Sequence, residues 1–227
     1  MEMKKAETES AHISDKIADF VQKNRKALLA VIIIAAAGIA GSAVFFSVRN
    51  ELQKKAIITL EEIEEKRSLL GELSDSSKSA EVEDLLQEIT SFASKTFGYA
   101  AARSYFLAAS IYMDRGDWEK AESAYLDSAR RSGKTYLKPL ALYNAAVAAE
   151  EQGNLEKALE YYNQSLDFPG NFPAASRARF NIGRIHEARQ DTEAALEAYR
   201  TVIEKNSPDS NWAKLAQSRI ISLEISQ

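Results

Sequence analysis

Two patterns of apolar and polar positions divide this chain. Between Lys26 and Arg49 no residue is charged, and the 22 positions from Ala27 to Val48 read ALLAVIIIAAAGIAGSAVFFSV. As a helix rising about 1.5 Å per residue this run is about 33 Å long, matching a hydrocarbon core of about 30 Å. Eleven of its residues are Leu, Ile, Val or Phe. Each is worth about −0.3 to −0.6 kcal/mol at the centre of a membrane helix, so insertion is favourable by about 3 to 7 kcal/mol. The run predicts a transmembrane helix over 27–48. Beyond it the apolar positions take helical spacing, and the pattern itself recurs every 37 residues. Gly116, Gly153 and Gln190 directly precede Asp117, Asn154 and Asp191. Four residues later come Ala121, Ala158 and Ala195, and four beyond those Tyr125, Tyr162 and Tyr199. Ahead of the three turns stand Ala108-Ala109, Ala145-Ala146 and Ile182-Gly183.

Each recurring residue has a physical reading. The glycine, or Gln190 in the third copy, closes one helix, and the Asp or Asn after it caps the free N–H groups of the next, worth about 1 kcal/mol. Small residues on both helices allow close approach, and the tyrosines fill the space where hairpins meet. A hairpin of this kind cannot bury its apolar face alone, so copies stack into a solenoid. This resembles the tetratricopeptide repeat (TPR). The first copy carries Ala108-Ala109, Tyr112, Gly116-Asp117-Trp118, Ala121 and Tyr125. The second carries Ala145-Ala146, Gly153-Asn154-Leu155, Ala158 and Tyr162, and the third Ile182-Gly183, Ala195 and Tyr199, with Pro208 past its end. It departs from the family in its period, 37 residues where about 34 is usual. Longer loops at Ser132-Gly133-Lys134 and Pro169-Gly170-Asn171 account for the difference.

The expected fold is all-α: one N-terminal transmembrane helix and an α-solenoid of TPR-type hairpins. Its expected parts are a cytoplasmic tail (1–26), the membrane helix (27–48), a divergent first hairpin (49–97), three repeats (98–207) and a capping helix (208–227). In the divergent hairpin, Leu52, Ala56, Leu60 and Ile63 fit one helix, and Val82, Leu85, Leu86, Ile89, Phe92 and Ala93 a second after a loop at Gly71–Ser79. Trp212, Leu215, Ile220 and Leu223 are expected on the apolar side of the cap. Before the span, Ile13, Ile17, Phe20 and Val21 share one helical face beside Lys16, Lys23, Arg25 and Lys26. They predict either a short surface helix or the end of one continuous helix. Within the span, Ala37/Gly41 and Gly38/Ser42 are small-xxx-small pairs at which another helix could approach.

Charge orients this layout. The net −4 of the chain divides into +1 over residues 1–26 and −5 over residues 49–227. The basic residues ahead of the span favour a cytoplasmic N-terminus and a solenoid across the membrane. A cleavable signal peptide would end at Ala40-Gly41-Ser42-Ala43, but the long polar segment before the apolar run and its continuation through Phe45-Phe46 favour a retained anchor. The acidic balance excludes binding driven by nucleic-acid phosphates.

No catalytic chemistry is legible. The chain has no cysteine and two histidines, His12 and His186, too far apart for a local metal motif. Gly133-Lys134 lacks the upstream glycine of a phosphate loop, and there is no G-x-S-x-G or H-E-x-x-H. No enzyme, cofactor, metal or small-molecule substrate is expected, and Glu150-Glu151 reads as helical surface charge. Binding of a protein or peptide partner remains. In tetratricopeptide arrays the first helix of each hairpin lines a concave groove, and the resemblance puts Phe106, Tyr143 and Phe180 on that side, again at the 37-residue spacing. Arg103 and Arg177 stand three residues ahead of two of them, and Arg184 lies one turn beyond the third. Such residues suit docking of a peptide or helix; the alternative is that the aromatics pack against the adjacent helix. The carboxylate clamp of chaperone-binding repeats is not expected, since its Lys and Asn positions are occupied by Phe106, Tyr143, Phe180 and Ser110, Val147, Arg184.

The layout as a whole is similar to the ancillary subunit family of the bacterial Sec translocon. That resemblance implies a single-pass inner-membrane protein with its repeats in the periplasm, meeting the translocon and periplasmic chaperones. Two alternatives stay open: a structural envelope or organelle-membrane protein that self-associates through its anchor, and a reversed topology with cytosolic repeats.

Overall fold

The computed structural model describes residues 2–70, 79–168 and 172–225. Among these residues the chain is all-helical, as the sequence predicts, with nine helices and no strand. They are α1 (Glu2–Leu70), α2 (Ser79–Lys95), α3 (Gly98–Asp114), α4 (Trp118–Arg131), α5 (Leu137–Glu151), α6 (Leu155–Leu166), α7 (Ala175–Ala188), α8 (Thr192–Glu204) and α9 (Asn211–Ile225). Of the loop expected at Gly71–Ser79, Ser79 opens α2, and the rest lies outside the described residues, as do Pro169-Gly170-Asn171 and the side chains of Ile13 and Ile17.

Two compact units, residues 1–54 and 55–227, divide within α1. The first is helical from Glu2, so the segment before the apolar run joins one continuous helix. Its apolar side chains are exposed, with Ile34 at 72% and Ile39 at 71%. By length and composition it is the one segment among the described residues able to cross a membrane. A Cβ added at Gly38 or Gly41 would meet nothing within 4 Å. Ser42 donates its hydroxyl back to the Ile39 carbonyl at 2.8 Å, which satisfies its donor within the helix. Leu52, expected among the packed positions, is exposed.

The second unit is a stack of hairpins in which each helix from α2 to α9 packs on the next in sequence. Ile63 at the end of α1 is fully buried with Val82, Leu85, Leu86 and Ile89 of α2 and Leu107, Ala108 and Ile111 of α3. The three turns share one backbone solution. Gly116, Gly153 and Gln190 have φ of 76°, 75° and 61°. The next residue's N–H donates to a carbonyl five residues back: Asp117 to Tyr112, Asn154 to Ala149 and Asp191 to His186, each at 2.9 Å. This left-handed closure suits glycine, so Gln190 carries strain of about 1 kcal/mol or more. Asn154 and Asp191 cap the following helices, accepting from the N–H of Lys157 and Ala194 at 3.2 Å. Asp117 makes no such cap, and its carboxylate pairs with Lys120 at 3.7 Å.

Close packing explains the small residues. Ala121, Ala158 and Ala195 are fully buried. A Cβ on Gly183 would lie 2.6 Å from Cε1 of Tyr199. At the far end α9 packs on α7 and α8 with Ala213, Ala216 and Ile220 buried, whereas Leu215 is exposed. Here two alanines supply the inner face that a larger leucine was expected to share.

Candidate protein-binding face

The first helices of the repeats, α3, α5 and α7, carry the residues expected to line a groove. In the row of first helices α3 touches α5, and α7 touches α9. Phe106, Tyr143 and Phe180 do not stand free along that row. Each meets the tyrosine of its own second helix: Phe106 on Tyr125 at 5.1 Å between ring centroids, Tyr143 on Tyr162 at 5.4 Å, and Phe180 on Tyr199 at 5.3 Å. Tyr143 is only 5% exposed and also meets Phe172, while Phe180 meets Trp212. Phe106 and Phe180 are half-buried. Aromatic contacts of this kind add about 0.5–1.5 kcal/mol beyond area burial, so the ladder is in large part the internal packing of each hairpin.

The arginines are the more accessible members. Arg103 donates from Nε to Glu64 at 2.7 Å and lies 5.8 Å from the centre of the Phe106 ring. Arg177 is exposed, lies 5.7 Å from the Tyr143 ring, and has no ion pair among the described residues. Arg184 donates to both carboxylate oxygens of Glu150 at 2.5 and 2.8 Å. The structure therefore joins Arg177 to Tyr143, and Arg184 to a carboxylate two helices away.

Glu150 is the residue sequence reasoning missed. Its side chain is 12% exposed and is no surface charge. It also accepts from the hydroxyl of Tyr162 at 2.8 Å, and Asn181 donates to that hydroxyl at 2.9 Å. Burial, with the nearby Glu150 carboxylate, pushes the Tyr162 pKa well above the usual tyrosine range. The third repeat has the same arrangement. Tyr199 donates to Glu187 at 2.9 Å, Arg219 of α9 pairs with Glu187, and burial pushes Tyr199 up to about 12. The signal was present: Glu150 and Glu187 keep the 37-residue spacing, each twelve residues ahead of its tyrosine. A further carboxylate, Glu122 of α4, is 5% exposed and ties the first repeat to the second. It accepts from Gln152 at 2.8 Å, Lys157 at 2.9 Å and Tyr161 at 3.0 Å. These ties hold the first helices in register, so a ligand meets a preformed surface. His186 is half-buried with Nδ1 3.6 Å from Asp191. Among the described residues no group of His, Asp and Glu is arranged to hold a metal.

A stack of helical hairpins closed by left-handed turns and sealed by small residues defines a repeat solenoid of the protein-interaction class. Residues 106–172 and 167–211 match the tetratricopeptide repeat. A "TPR repeat-containing protein" of Treponema pallidum (strain Nichols) is 30% identical over 222 residues, covering 91% of this chain and 92% of that relative. This protein belongs to the tetratricopeptide-repeat family, whose domains bind protein partners. It is also similar to the "Photosystem I assembly protein Ycf3" of Cyanophora paradoxa, 28% identical over 113 residues, covering 50% of this chain and 62% of that one. Among solved structures, the "Podosopora anserina putative kinesin light chain nearly identical TPR-like repeats" matches at a TM-score of 0.57. It shares 14% identity over 72% of this chain and 85% of that one. That likeness shows the fold alone.

Proposed function

We propose that this protein is a membrane-anchored, non-enzymatic scaffold that holds a protein partner beside a bacterial inner membrane, with its repeats in the periplasm. The observation that carries the reading is the joining, in one chain, of an exposed apolar helix able to span a bilayer to a tetratricopeptide array. An uncovered run of this length is costly in water and favourable in lipid. The basic residues before it favour a cytoplasmic N-terminus. The layout further supports a place near the Sec translocon, where the array passes secreted chains to chaperones. That Ycf3 is described as an assembly protein fits a repeat array whose work is to hold other polypeptides.

Partner contact in this reading falls to exposed Arg177 on α7 and to half-buried Arg103 and Phe106 on α3. The cysteine-free chain makes the test clean. Ser207→Cys, at an exposed position, is treated with an impermeant maleimide on spheroplasts. Labelling without lysis is expected, and labelling only after lysis overturns the periplasmic assignment. Purification in mild detergent is expected to bring down translocon channel subunits, and their absence removes the translocon from the proposal. Arg177→Glu, which touches no described ion pair, is expected to weaken that recovery while circular dichroism is unchanged.

A further inference from the structure

The lengthened loop that sets the 37-residue period has a consequence on the edge of the solenoid where α4 turns into α5. Gly133 and Lys134 of that loop, Lys138, Pro139 and Leu142 of α5, and Gln164, Asp167 and Phe168 at the end of α6 surround an open cleft of about 490 Å³. This lies within the range of about 300–1,000 Å³ usual for ligand clefts. Its floor is carbon: Pro139 and Leu142 are buried, and Phe168 is half-buried. Its rim is charged. Lys134 and Lys138 are both exposed, and neither has an ion pair among the described residues. Asp167 contributes one carboxylate, leaving the rim with an excess of one positive charge. That sign is opposite to the acidic balance of the solenoid.

The rim is held in place. Ser132 donates its hydroxyl to the Ser128 carbonyl at 2.7 Å, and Thr135 donates its hydroxyl to Ser132 at 2.9 Å. Gly133 turns the chain with φ of 58°. A cleft with cations at its mouth and an apolar floor receives a ligand apolar end first, with its negative charges at the mouth. Because it is open, a chain can enter and leave on either side of the buried group. We propose that this cleft is a second protein-binding site, separate from the row of first helices. It takes an acidic peptide segment whose aromatic or large aliphatic side chain rests on Pro139, Leu142 and Phe168, and whose carboxylates pair with Lys134 and Lys138.

The test uses the full chain in mild detergent and a fluorescein-labelled peptide with a central tryptophan flanked on each side by three glutamates. Saturable binding by fluorescence anisotropy is expected, weakening as salt rises because the rim is exposed. The paired change Lys134→Glu with Lys138→Glu is expected to weaken it about tenfold or more, as reversal of two rim charges does. Gln164→Trp, an exposed position facing the cleft, is expected to block it, and replacing the peptide's tryptophan by glycine to abolish it. Lack of saturable binding overturns the proposal. So does equal binding by a peptide with lysines in place of the glutamates, or affinity unchanged by the two charge reversals. Displacement of the peptide by dihexanoyl phosphatidylglycerol below its micelle concentration, at lower concentration than unlabelled peptide requires, assigns the cleft to lipid headgroups and also overturns it.

Discussion

Glu122 offers the sharpest test of how the hairpins are held together. It is a nearly buried carboxylate on α4 that accepts from Gln152, Lys157 and Tyr161, all of the following repeat. Burial by itself raises its pKa, but the hydrogen bonds from Lys157, Gln152 and Tyr161 outweigh that and hold it below the ordinary value of 4.5. The perturbation is Glu122→Gln, which keeps the volume and removes the charge. Hydrogen bonds to a charged group are worth about 1.5–3 kcal/mol and neutral ones about 0.5–1.5, so the bonds from Gln152 and Tyr161 lose about 1 kcal/mol each. Lys157 is half-exposed, so its pairing adds only about 0.2–1 kcal/mol. The expected loss at neutral pH is therefore about 2–3 kcal/mol, measured by urea unfolding of the detergent-solubilised chain with helical circular dichroism as readout. The sign of the pH dependence follows from a depressed folded pKa. The stabilisation is present above the unfolded value and disappears as the pH falls through the folded one. The gap between the two proteins should therefore begin to close as the pH falls below the ordinary value of 4.5 and be gone once it is below the folded one. A gap under about 0.5 kcal/mol at pH 7, the size of an ordinary surface substitution, would refute the reasoning. An equal gap at acid pH would show that shape, not charge, makes the tie.

Two backbone positions make further predictions in the same assay. Gln190 occupies a left-handed turn that its counterparts fill with glycine. Gln190→Gly should gain about 0.5 kcal/mol, the relief of strain less the added freedom of the unfolded chain; a loss would mean that the glutamine side chain stabilises the turn. Gly183→Ala sets a methyl carbon 2.6 Å from the Tyr199 ring and should cost about 1–3 kcal/mol. Wild-type stability would show that Tyr199 can swing away from Glu187 without loss.

The hairpin repeat was legible because its signals are local. A left-handed turn residue, an Asp or Asn directly after it, and an alanine four positions further on each act over one turn of helix and recur in register at Gly116, Gly153 and Gln190. Even the replacement at Gln190 was visible, since position in the repeat outweighed residue type. The candidate site was legible only in part. Phe106, Tyr143 and Phe180 lie between the face of a first helix that meets its own second helix and the face that meets solvent. Helical spacing gives their direction to within a fraction of a turn, too coarse to decide between those faces. The second-helix tyrosines decide it by covering the rings.

The same distinction separates the rest of the molecule. Apolar length alone marked 27–48 as able to span a bilayer, because that property is a sum over consecutive residues and needs no partner. Periodicity alone determined an all-helical stack of hairpins, since each unit repeats the same short-range chemistry. Only the tertiary structure decided which charges are surface and which are ties. Glu150 and Glu151 are neighbours and look alike in sequence, yet Glu151 is exposed while Glu150 is gathered in by Tyr162 and Arg184. The partners that make that difference come from helices twelve and thirty-four residues away, and burial is a property of how the hairpins stack.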